Sequence, residues 1–119
     1  MTIRDMVDIL KAQVLLGEDK LDQAVHTACS SDLMSDVLAF VNDKTVLITG
    51  LTNAHVIRTA EMLDLKCVVF SRGKIPGAEI LEPAEELGLV VLATKMTSFH
   101  ACGVLYEGGV RGSEVTWNE

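Results

Sequence analysis

The chain has 119 residues, with seventeen acidic and ten basic side chains, a formal charge of −7 and only five aromatic residues. That length suits one domain with a core of its own, needing neither disulfides nor structural metal. The acidic excess, spread along the chain with no basic patch and few rings, excludes nonspecific nucleic-acid binding, and no run of about 18 apolar residues exists to span a membrane.

Thr2 followed by Asp5 predicts a helix start, a hydroxyl cap and then an acid in the first turn. Ile3, Met6, Val7 and Leu10 follow at helical spacing. Val14-Leu15-Leu16 reads as a short strand and Gly17 to Lys20 as a turn. A second unit begins near Ala24-Val25, with a weak strand because Thr27 to Ser31 is small and polar. Asp32 to Val41 reads as a helix with Leu33, Val37, Leu38 and Val41 on one face, closed by Asn42-Asp43-Lys44. Thr45 to Thr49 is the clearest buried strand, and Gly50 to Asn53 a turn. A helix over Ala54 to Leu63 turns Val56, Ala60 and Leu63 inward. Cys67 to Phe70 is the next strand, and Arg72 to Gly77 a loop marked by glycine and proline. Glu79 to Leu87 reads as a short helix ending at a left-handed Gly88, with Pro83 suited to its first turn. Val90 to Ala93 is the last strand and Ser98 to Glu107 the last helix, ended by Gly108-Gly109. The tail from Val110 to Glu119 has no firm pattern, and its Trp117 is expected to pack on the body or a partner.

Short apolar runs alternating with helices of about ten residues are the pattern of parallel strands joined by crossover helices. The expected fold is a single three-layer α/β domain with a mostly parallel sheet and right-handed connections. The start of the chain lacks the basic and apolar regions of a secretory leader, so the cytoplasm is the expected compartment. Three widely spaced cysteines, Cys29, Cys67 and Cys102, are no disulfide framework, and Cys67 and Cys102 read as buried thiols.

In such a sheet the strand ends and helix starts gather at one edge, where ligands bind. Four polar clusters fall there, at Cys29 to Asp32, Thr49 to Asn53, Ser71 to Lys74 and Thr94 to Ser98. Hydroxyls, cations and free backbone N–H groups converging at one edge can hold an anion. The candidate ligand-binding residues are Ser31, Asp32, Thr49, Asn53, Thr94, Lys95 and Thr97. The hydroxyls and Asn53 would hydrogen-bond a ligand, Lys95 would neutralise its charge, and Asp32 would orient a sugar or cation. The same residue types also cap helices. Thr97 or Ser98 suits the last helix, and Thr52 or Asn53 the earlier one. Ser31-Asp32 with Ser35-Asp36 fits a magnesium–phosphate group or, equally, a cap with first-turn acids.

No catalytic machine is legible. His26, His55 and His100 lack the spacing of a helical ligand pair, and the cysteines lack that of an iron–sulfur cluster, so no metal is expected. Nothing orients Cys29 towards a histidine, and neither GxxxxGK[ST] nor GxGxxG occurs.

Leu21 to Val25, Ser31 to Val37, Ile48 to Asn53, Leu63-Asp64-Leu65 with Val68-Val69-Phe70, and Thr94 to Phe99 resemble, in that order, the DRTGG domain family. The resemblance spans residues 1–109 and leaves 110–119 as a tail. Asp22 stands where the naming run begins, but Gln23 replaces its arginine, and His26 to Ala28 do not supply its paired glycines. The resemblance implies an α/β domain like the N-terminal domain of HPr kinase/phosphorylase. Such domains occur within some phosphotransacetylases, beside CBS modules in some inorganic pyrophosphatases, and as free-standing proteins encoded near iron-hydrogenase genes. It further implies a noncatalytic regulatory or ligand-sensing homodimer without a bound cofactor, its ligand a small anionic metabolite or an adenine nucleotide. A protein-interaction or scaffold subunit of an iron hydrogenase system is the alternative, and an enzyme acting on a phosphorylated small molecule a third reading.

Overall fold

α1 (Ile3–Leu10) begins where a hydroxyl can cap it. Thr2 Oγ1 accepts the Asp5 N–H at 3.2 Å, and the Asp5 carboxylate accepts the Thr2 N–H at 2.9 Å. This reciprocal pair satisfies two amides that a helix start otherwise leaves open. The computed structural model describes residues 1–40 and 45–112. After α1 come β1 (Gln13–Leu16), a 3-10 turn (Glu18–Lys20), β2 (Thr27–Ser30), α2 (Met34–Phe40), β3 (Thr45–Thr49), α3 (Ala54–Met62), β4 (Cys67–Phe70), α4 (Ala78–Glu86), β5 (Val90–Ala93) and α5 (Ser98–Glu107).

One sheet runs in the order β1-β5-β4-β3-β2, with β2 to β5 parallel and β1 antiparallel to β5. The four parallel strands step in one direction, so right-handed crossovers place α2, α3 and α4 on the same face. Alternate strand residues divide accordingly. Val46, Ile48, Cys67, Val69, Val90 and Leu92 meet α1 and α5, whereas Leu47, Val68, Phe70 and Val91 meet α2 to α4. These are the three layers expected of the fold, with the central strands covered on both faces. α5 then carries the chain back across the sheet. Beyond it, the Arg111 N–H donates to His26 O and the Ala28 N–H donates to Arg111 O, on the outer edge of β2. Among the described residues no helix is long and apolar enough to cross a membrane.

Three local expectations change. The second strand is confined to the polar stretch Thr27–Ser30 and does not reach back to Ala24-Val25, where the unit was expected to begin. The backbone of residues 21–25 instead holds the start of α1: Leu21 O and Gln23 O accept the Arg4 and Ile3 N–H groups, and the Val25 N–H donates to Met1 O. β2 can be small and polar because it is an edge strand, outside the three central apolar runs of β3, β4 and β5.

α2 turns Met34 and Val37 inward, while Leu33 and Leu38 are 58% and 41% exposed. The helix starts at Met34, so the stripe centred on Met34 and Val37 leaves Leu38 on its flank. Val41 and the expected closure at Asn42 to Lys44 lie outside the described residues, as does Trp117.

Pro83 sits inside α4 rather than in its first turn. The missing N–H costs one helical hydrogen bond, offset by burial of Ile80 and Ala84 on either side of it. Two glycines are required by geometry. Gly88 ends α4 at φ +71°, and Gly17 turns at φ +91°, where a Cβ would lie 2.8 Å from Val90 Cγ2.

Candidate functional site

The carboxyl ends of β2 to β5 form one edge, and short backbone bonds fix it. Asp32, just after β2, reaches across to β3. Its Oδ1 accepts the Thr49 hydroxyl at 3.0 Å and the Gly50 N–H at 2.9 Å. Arg72, after β4, completes the knot: its Nη2 donates to Gly50 O at 3.4 Å and stands 3.8 Å from Asp32 Oδ2. The guanidinium lies so close over Gly50 that a Cβ there would collide with it. Thr49 is fully buried, whereas the Asp32 and Arg72 side chains are 57% and 51% exposed. The Gly50 N–H, then the Thr49 hydroxyl and the Arg72 charge, hold the Asp32 carboxyl below its ordinary value.

A lowered folded pKa stabilises the fold above the unfolded value, and that stability is lost as pH falls through the folded one. Asp32→Asn is therefore expected to destabilise the fold slightly at neutral pH, by less than about 1 kcal/mol because the carboxylate is so exposed. The difference should vanish under acid, below the ordinary carboxylate value of 3.8. A deficit in thermal melts that persists unchanged to pH 2 would contradict this assignment.

Next along the edge, Ser71 Oγ and Ser98 Oγ lie 2.7 Å apart. The buried Thr94 hydroxyl donates to Leu10 O at 2.8 Å, tying β5 to the end of α1, and accepts the Met96 N–H at 3.2 Å. The Gly73 N–H donates to Thr94 O at 2.9 Å and the Arg72 N–H to Met96 O at 2.8 Å. Three segments distant in sequence are thus pinned around an open cleft of about 570 Å³. Leu10, Lys11 and Gln13 form one wall, Ala93 to Met96 another, and Gly73 and Ile75 the third.

The sequence-derived candidates are spread along this edge. Thr94 and Lys95 line the cleft. Asp32 and Thr49 belong to the knot with Arg72. Ser31 closes a turn, its Oγ accepting the Leu33 N–H. Asn53 Oδ1 accepts the His55 N–H at the start of α3, and Thr97 Oγ1 the His100 N–H at the start of α5. One strand separates β3 from β5, which puts Thr49 roughly 10 Å from the end of β5. Lys11, Gln13 and Ile75 were not foreseen. Lys11 had no sequence signal as a neighbour of Lys95, because only the β1–β5 pairing brings them together.

A family model of the DRTGG domain matches residues 5–107. The chain belongs to the DRTGG domain family. No curated protein sequence matches it. A similar solved structure holds the CBS and DRTGG domains of the regulatory region of Clostridium perfringens pyrophosphatase, complexed with its activator, diadenosine tetraphosphate. The two share 20% sequence identity with a TM-score of 0.72, over 87% of this chain and 45% of that one. At that identity the likeness establishes the fold, and this DRTGG domain spans less than half of the structure it matches.

In this DRTGG domain the place of the naming run is structural. Asp22 pairs with Arg4 at 3.1 Å, and its neighbours hold the start of α1. Among the described residues no three His, Cys, Asp or Glu side chains gather as a cation site. Cys67 is fully buried, which pushes its thiol well up, whereas Cys102 is only half-buried on the flank of α5. Burial, with Cys102 nearby, pushes the Cys29 thiol up to about 11. At neutral pH iodoacetamide should therefore modify Cys102 first, Cys29 slowly and Cys67 only on unfolding. Mass spectrometry checks the order, and equal labelling of Cys67 and Cys102 in the native protein would contradict it.

Proposed function

We propose that this DRTGG domain is a noncatalytic regulatory module that senses a small anionic metabolite or an adenine nucleotide at the carboxyl edge of its sheet. The observation that carries this reading is convergence. Loops after β3, β4 and β5 meet the end of α1 at one edge, hydrogen-bonded to each other beside an open cleft. Such an edge is where open α/β sheets take ligands. The activator complex of the pyrophosphatase regulatory region, part of which shares this fold, supports the nucleotide class.

The readout in this proposal is a change at a protein interface, in a homodimer or against a partner. Phe99, 90% exposed on the first turn of α5, favours such a partner surface at the same edge. Under the alternative reading that surface alone matters, and the chain is an interaction subunit, with a component of an iron hydrogenase system as one partner. Calorimetry with adenine nucleotides and acyl phosphates tests the sensing. Heat of binding with a rise in melting temperature is expected, and neither at millimolar ligand would remove the proposal. Light scattering tests the dimer, and a monomer at high concentration would refute it.

A further inference from the structure

We infer that the cleft between the end of α1 and the loops after β4 and β5 is the ligand site. Its ligand class is a small molecule joining a phosphate or carboxylate to a flat apolar group. The inference rests on the ligand-sensing reading and assigns that reading a place and contacts.

Charge comes first. The protein carries −7 overall, yet the cleft lining holds Lys11 and Lys95 and no acid. The groove along α4, about 460 Å³, is lined by Glu82, Glu85 and Glu86 and repels an anion. Two ammonium groups carried just beyond the paired ends of β1 and β5 can neutralise one phosphate, each as a compact donor.

Apolar surface comes second. Ile75 is 59% exposed on the third wall, and Met96 lies beside Lys95. An exposed isoleucine on a loop stays in water unless something covers it, and thioether and aliphatic groups accommodate a flat ring. A volume of about 570 Å³ is the size of small-molecule sites that combine an apolar body with a few placed charges.

Preorganisation comes third. Thr94 joins two walls through its hydroxyl, and its carbonyl accepts from the third wall at Gly73. The walls therefore need little ordering when a ligand arrives.

Calorimetry on the full chain tests the assignment, with ADP, adenosine and inorganic phosphate as probes. ADP is expected to bind more tightly than either fragment, since it engages both halves of the cleft. The double variant K11A/K95A should weaken ADP about tenfold and flatten its salt dependence. Both lysines are exposed, so its melting temperature without ligand should stay at the wild-type value. Ile75→Ser should weaken ADP and leave phosphate unchanged. If the wild type binds ADP and K11A/K95A binds it equally well, the cleft assignment fails while sensing survives. If the wild type binds none of the three probes, the cleft assignment fails, and only the wider ligand panel still bears on sensing.

Discussion

Phe70→Ala is expected to destabilise the domain by about 4 kcal/mol, against a total of roughly 5–15 kcal/mol for a domain of this kind. Phe70 ends β4, between β3 and β5, and has no exposed surface. Its ring fills the layer between the sheet and the helices α2 to α4, among residues such as Val56 and Ile80. Alanine would remove the ring and leave a cavity that strands paired on both sides cannot collapse to fill. The melting temperature should fall by about 15 °C. Denaturant unfolding that gave a loss below about 1 kcal/mol would mean the Phe70 ring is not tightly packed in this layer. Phe70 meets the proposed cleft lining through its backbone, its carbonyl accepting the Thr94 N–H at 2.9 Å; alanine keeps that carbonyl, so any folded fraction should retain its ligand affinity.

Thr94→Val is the second large effect, and it joins stability to the site. Valine keeps the shape of threonine but loses both hydroxyl bonds. The Leu10 carbonyl then has no Thr94 donor, and the Met96 N–H has no Thr94 acceptor. A polar group left unsatisfied in a buried place costs about 2 kcal/mol, which should lower the melting temperature by about 8 °C. Because the lost bonds hold two walls of the cleft, ADP affinity should fall along with stability. Thr94→Ser keeps the hydroxyl and should recover most of the affinity, though not all of the stability. A Thr94→Val protein as stable as wild type would mean these bonds contribute nothing.

Part of the candidate site was legible in the chain and part was not. Asp32, Thr49, Thr94 and Lys95 follow from one rule: polar residues after apolar runs stand at the strand ends of a parallel sheet. Asn53 and Thr97 obey the same rule yet act as caps, because their side chains are engaged by the helix amides two and three residues on. Composition cannot separate the two uses, since both need a short side chain with an oxygen at a helix start. Arg72 was visible as a charge, but its place over Gly50 depends on a left-handed backbone at φ +61°.

Local pattern alone settles β3, β4, β5 and α5. Their apolar runs are continuous because both faces are covered, and the caps of α1 and α5 are written in Thr2, Asp5 and Thr97. Tertiary pairing decides the rest. β1 pairs antiparallel with the free edge of β5, and β2 falls on Thr27–Ser30 because residues 21–25 are already bonded to α1. The cleft likewise exists only where three distant segments are tied through Thr94. Hydrophobic periodicity acts over a few residues, whereas strand order and a shared cavity depend on contacts across 84 positions of chain, as between Leu10 and Thr94.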